Sequence, residues 1–107
     1  MMADDFSITK MGQSKAVTDV LAERVRQVEK EGFTPAHDDQ YQEYELAFAA
    51  GCYAMGVRLH GAWPWSSSWW KPSSRRRNLI KAAALLLAEI ERVDRGEERI
   101  RENKENP

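Results

Sequence analysis

Hydrophobic positions between Ser14 and Gly32 recur every three or four residues. Val17, Val20, Leu21, Val25 and Val28 form one series, and Glu23, Arg24, Arg26, Gln27 and Lys30 fill the other side. That period predicts an amphipathic helix opened near Ser14 and closed by Gly32. The pattern breaks over Phe33-Thr34-Pro35-Ala36-His37-Asp38-Asp39, where Pro35 and the two aspartates predict a turn. Asp39, with Gln42 three residues on, reads as a capping box for a second helix through Tyr44, Ala47, Phe48, Gly51 and Met55. Its small residues, Ala47, Ala49, Ala50, Gly51 and Ala54, suit close approach of a neighbouring helix. From His60 to Ser74, Trp, Pro and Ser dominate, which predicts an ordered but irregular loop. Ser73 or Ser74 then caps a third helix with Leu79, Ala83, Leu86, Leu87, Ile90 and Val93 on one face. Between Ala82 and Ala88 this helix is apolar on every side, the mark of a central element, and Gly96 is its expected stop.

The predicted architecture is all-α: three main helices in a compact bundle with a long, ordered Trp-rich loop. Residues 1–13 are expected to be a flexible arm, 14–96 a single helical domain and 97–107 a charged tail. At 107 residues, 42% hydrophobic and 31% charged, the chain has the composition of one globular domain with one core. A core that small gains from association, so a homo-oligomer is expected. The net charge of −1 gives no overall attraction to nucleic acid. Any contact with a polyanion then falls on a local patch, Arg75-Arg76-Arg77. The lone Cys52 excludes an internal disulfide and agrees with a reducing compartment. No run approaches the roughly 20 apolar residues of a membrane span, and Met1-Met2-Ala3-Asp4-Asp5 lacks the order of a secretion signal. The expected setting is a cytoplasm, with no membrane partner.

Three constellations carry candidate chemistry. His37-Asp38-Asp39 is an oxygen-rich turn of the kind that suits Mg²⁺; the competing reading has Asp39 capping, Asp38 in an Asx-turn and His37 holding the loop. Helix-borne acids add to it, Glu23 and above all Glu45, which lies beside the alanine-rich stripe and needs a partner such as Arg24, Arg77, Lys81 or a metal if it is buried. A surface lattice of ion pairs is the alternative. Last, Trp63, Trp65, Trp69 and Trp70 precede Lys71, Arg75, Arg76 and Arg77. Those rings either seal the end of the core or offer a stacking surface, and a helix start with arginines beside it receives phosphate. No Gly-x-Ser-x-Gly elbow, plausible Cys52–His pair, P-loop or Gly-rich dinucleotide turn is present, so nothing in the chain supports covalent catalysis or those nucleotide folds.

The strings Leu21-Ala22-Glu23-Arg24-x-Arg26-Gln27, Glu31-Gly32-Phe33-Thr34-Pro35-x-His37-Asp38-Asp39, Glu45-Leu46-Ala47, the Trp loop, and Arg75 to Lys81 continuing to Ala88-Glu89-Ile90-Glu91-Arg92 resemble a family of small phage and prophage proteins. That likeness implies a phage or prophage origin and work in the host cytoplasm. More distantly, glutamate clusters with a later Glu91-x-x-Asp94 look like the all-α nucleoside triphosphate pyrophosphohydrolases of the MazG kind. This second resemblance implies Mg²⁺ and cleavage between the α and β phosphates. The functional expectation is a Mg²⁺-dependent nucleotide-binding or pyrophosphohydrolase-like protein. Asp38, Asp39, Glu45 and Glu23 would hold the cation, and Arg75, Arg77 and Lys81 the phosphates. Trp65, Trp69 or Trp70 would stack on the base, with His37 and Arg24 supporting. The alternative is a non-catalytic accessory protein that binds a host protein through the Trp loop.

Overall fold

The structure is a computed structural model that describes residues 6–59 and 61–105. Residues 1–5 of the expected arm, His60 at the start of the expected loop and residues 106–107 of the expected tail lie outside them. In chain order the helices are α1 (Ile8–Gly12), α2 (Lys15–Lys30), α3 (Pro35–Asp38), α4 (Glu45–Met55) and α5 (Arg75–Glu105), with a single 3₁₀ turn at Ser67–Trp69 between the last two. No strand occurs among the described residues, and no helix there is long and apolar enough to cross a membrane.

Local chemistry explains most boundaries. Ser7, Ser14 and Thr34 each accept a backbone N–H three residues on, opening α1, α2 and α3. Ser74 does the same for Arg77 at the start of α5. Gly56, at φ 75°, ends α4 in the left-handed conformation that only glycine adopts at no cost. Within the expected arm of residues 1–13, Ile8–Gly12 is helix, and two further boundaries differ from expectation. Asp39 closes α3 instead of opening α4, because Thr34 and Pro35 supply a cap and a first-turn proline that make residues 35–38 helical. Gly96 does not stop α5, which runs on to Glu105, so part of the expected tail is helix. The Glu and Arg residues after Gly96 are good helix formers, and one interior glycine costs only about 1 kcal/mol.

Helix α5 is central and packs against α4, α2 and α3. The core is Leu46, Ala49, Ala50 and Tyr53 of α4 against Ala82, Leu85 and Ala88 of α5. Alanines on both sides let the two backbones approach closely, as the small-residue stripe predicts. The faces of α2 and α5, however, are not the ones that periodicity selects. Helix α2 turns Glu23, Arg24 and Gln27 inward and leaves Leu21 and Val25 exposed. Likewise α5 buries Asn78, Ala82, Leu85 and Ala88 while Leu79, Leu86, Ile90 and Val93 face solvent.

Arginines staple the short α3 segment to the long helices. Arg24 donates to the Phe33 carbonyl at 2.9 Å and to Asp38 at 3.0 Å. Arg95 pairs with Asp39 at 2.8 Å, and Arg92 donates to the Tyr41 carbonyl at 3.1 Å. The radius of gyration, 16.1 Å, exceeds the roughly 13 Å of a compact domain this long, because α5, about 46 Å in length, outruns its neighbours.

Candidate functional site

A narrow cleft of about 40 Å³ lies where α2, α4, α5 and the tryptophan loop meet. The loop is held there by its own polar contacts. The Tyr53 hydroxyl of α4 accepts from the Lys71 backbone N–H at 3.1 Å, and Lys81 of α5 donates to the Lys71 carbonyl at 2.6 Å. Trp63 Nε1 donates to the Ser66 carbonyl at 3.0 Å, which closes the Trp-Pro-Trp turn. Tyr53 and Trp70 lie 4.7 Å apart between ring centroids, and Trp63 meets Trp70 and Trp65 edge-on at 5.1 and 5.4 Å. Such ring pairs contribute about 0.5–1.5 kcal/mol each beyond their buried area, enough to order a segment with little regular structure. Trp70 therefore belongs to the packing, whereas Trp69 is 43% exposed at the rim, near Phe33 and under the Lys71 ammonium.

One wall of the cleft is aromatic and the other is charged. Phe33, Tyr53, Trp63, Trp65 and Trp69 face Glu23, Arg26, Gln27 and Glu31 of α2, with Lys71 and Lys81 at the edge. Glu23, only 2% exposed, accepts from Arg26 Nε at 2.8 Å and Nη2 at 3.0 Å and makes a short contact with Arg77. Burial pushes its carboxyl upward, but the two guanidiniums outweigh that and hold it below the usual carboxylate range. Arg26 also reaches Glu31 at 3.1 Å, so a single guanidinium bridges both acids. Lys81 is held below the usual lysine range by burial first and by Arg77 second, and would gain from an anionic neighbour. Gln27 Oε1, a buried polar atom of a cleft residue, has no hydrogen-bond partner, and Trp65 Nε1 is buried close to the Tyr41 hydroxyl. A buried acceptor left unmatched costs about 1–3 kcal/mol.

The residues expected to hold a cation are not gathered. Asp38 is fully buried between Arg24 and His37 Nδ1, the latter at 3.2 Å. Burial raises its carboxyl above the usual range, against the opposing pull of His37 and Arg24. Asp39 lies on the other flank with Arg95 and Arg99, and Arg95 holds it low. Glu45 accepts from the Glu43 backbone N–H at 3.0 Å in the first turn of α4 and meets none of Arg24, Arg77 and Lys81. Of the four, only Glu23 lines the cleft. Among the described residues no three His, Cys, Asp or Glu side chains are placed to share a metal ion. Glu23, Asp38 and Asp39 each pair with an arginine and Glu45 with the Glu43 backbone N–H, so the four acids expected to share a cation stand apart.

Of the cationic set, Lys81 lines the cleft, Arg77 meets Glu23 from a neighbouring depression that it lines with Ser74 and Arg76, Arg75 donates to the Ala54 carbonyl at 2.8 Å and Arg76 pairs with Asp19 at 2.8 Å. Gln27, Glu31, Arg26, Tyr53 and Phe33 were not singled out as site residues by sequence reasoning. The available signal was the spacing of Glu23, Gln27 and Glu31, four apart and therefore on one face of α2. No protein-family model, curated protein or solved structure matches the chain.

Proposed function

We propose that the protein binds a nucleotide in this cleft. The observation that carries the reading is an aromatic wall, Phe33, Trp65 and Trp69, opposite a polar one that includes Gln27, whose buried Oε1 has no hydrogen-bond partner. A nucleobase supplies both a flat π face for Trp65, Trp69 or Phe33 and an edge with N–H donors and ring-nitrogen or carbonyl acceptors. Lys71 and Lys81 at the edge supply positive charge for phosphate. The distant resemblance to MazG-like pyrophosphohydrolases is in keeping with a nucleotide ligand, and the resemblance to small phage and prophage proteins with a phage origin. Hydrolysis stands as a separate question, since a magnesium site of the expected composition is not formed.

The alternative, docking on a host protein through the loop, rests on Trp69 as the exposed ring, because Trp63, Trp65 and Trp70 are half-buried in internal packing. Titration of tryptophan fluorescence with each deoxynucleoside triphosphate and ribonucleoside triphosphate, with and without Mg²⁺, tests the reading. At least one is expected to give saturable quenching, weakened by Gln27→Leu, and pyrophosphate release in the same samples reports hydrolysis. Absence of quenching and of any thermal shift across all of them overturns the proposal.

A further inference from the structure

We infer that the base read in this cleft is guanine, through two acceptors that α2 and its C-cap contribute to the lining, Gln27 Oε1 and Glu31 Oε2. The inference rests on nucleotide binding in the cleft and specifies which base is taken. Gln27 is 3% exposed, and its Oε1 has no hydrogen-bond partner. Glu23 settles how that amide is turned. Gln27 Nε2 donates to Glu23 Oε2 at 3.5 Å, whereas a reversed amide would set its oxygen against a carboxylate that Arg26 and Arg77 keep charged. Four residues on, and so on the same face, stands Glu31. Its Oε1 accepts from Arg26 at 3.1 Å, while Oε2 has Lys71 Nζ at 3.8 Å, beyond hydrogen-bond reach.

Volume and hydrogen-bond chemistry select the base. At about 40 Å³ the cleft holds about three water-sized groups, the edge of one ring rather than a whole nucleotide. Sugar and phosphates then stay outside, beside Lys71 and Lys81, and the ring lies along Phe33, Trp65 and Trp69. An edge that meets two acceptors has to carry two neighbouring donors. Guanine does, with N1–H next to its 2-amino group. Adenine and cytosine set an amino group beside a ring acceptor, and uracil and thymine set one N–H between two carbonyls. Each of these turns an acceptor against Gln27 or Glu31, and a polar group left facing its own kind discriminates more sharply than a missing apolar contact. A purely cationic ligand is disfavoured, because Arg26, Lys71 and Lys81 outnumber Glu23 and Glu31 around the cleft.

Titration of the tryptophan fluorescence of the full chain with GTP, inosine triphosphate, ATP, CTP and UTP tests this. GTP is expected to bind tightest, by at least about 10-fold over ATP, CTP and UTP. Inosine triphosphate keeps N1–H and lacks the 2-amino group, so it is expected to bind about 10-fold more weakly than GTP. Glu31→Ala, with its fold checked by circular dichroism, removes one acceptor and is expected to bring GTP and inosine triphosphate to equal affinity. If that variant fails to fold, the comparison of the two nucleotides on the wild-type chain decides the matter. Equal binding of all five, preference for another base, inosine triphosphate bound as tightly as GTP, or a GTP advantage over it that survives in Glu31→Ala overturns guanine selection and leaves nucleotide binding standing. Quenching by none of them overturns both readings.

Discussion

Replacing Glu23 by glutamine keeps the shape of the side chain and removes the charge on which two arginines converge. In wild type, one carboxylate oxygen accepts from Arg26 and Arg77, and the other accepts from Arg26 at 3.0 Å and from Gln27 at 3.5 Å. Glutamine offers one acceptor and turns an NH₂ toward donors, so at least two charge-assisted bonds are lost, at about 1.5–3 kcal/mol each. Part of that returns as hydration, because the Arg26 and Arg77 side chains are 38% and 37% exposed and can turn to water. The net expectation is a loss of about 2 kcal/mol, or a melting temperature lower by about 8–16 °C for a domain this size. The sign with pH follows from the depressed carboxyl. Its stabilisation is present above the ordinary value of 4.5 and is lost as pH falls through the lower folded value. Urea unfolding of both proteins at about pH 7 and about pH 3 therefore shows a large gap at neutral pH that closes in acid. A gap below about 0.5 kcal/mol at neutral pH, or an equal gap at both, refutes the reasoning.

Asp38→Asn is expected to show the opposite pH trend. Because the folded Asp38 carboxyl titrates above 3.8, its contribution is full below that value and is lost as pH rises through the raised one, so the variant gains on wild type between about pH 3 and about pH 7. Unfolding curves at the two ends check this, and a constant difference counts against it. Gly96→Ala should stabilise by about 1 kcal/mol, since the position is helical and an added Cβ would meet only the Arg99 side chain, at 3.8 Å. Gly56→Ala should instead cost about 1 kcal/mol, because φ is 75° there while the space around it is open. Thermal melts of the two variants are expected to move in opposite directions. Leu85→Ala removes a side chain that is 2% exposed at the meeting of α4 and α5 and should cost about 2–5 kcal/mol by denaturant unfolding.

Much of the local structure was legible in the chain. Ser14 and Ser74 announced their helices because a hydroxyl before a periodic run satisfies N–H groups that the helix leaves open. The alanine-rich stripe of α4 and the all-round apolar stretch of α5 marked the two elements that build the core. The candidate site was only half legible. Trp65, Trp69, Glu23, Arg77 and Lys81 were singled out, and the fold sets all five at or beside one cleft. Asp38, Asp39 and Glu45 were singled out as well, but buried acids attract arginines as readily as metals, and Arg24 and Arg95 come from segments far away in the chain.

Sequence alone determined what each segment can be: where helices begin, where glycine or proline interrupts them, and which residues carry charge or rings. Those choices depend on groups within about four residues of one another, so no partner has to be known. Only the tertiary structure decided which face of α2 and α5 turns inward. Several of the most hydrophobic positions on each stay exposed, Leu21 and Val25 on α2 and Leu79, Leu86, Ile90 and Val93 on α5, while Glu23, Arg24 and Gln27 lie inside. A buried charge is tolerable only when a matching group arrives from a distant part of the chain, and periodicity along one helix holds no record of that arrival.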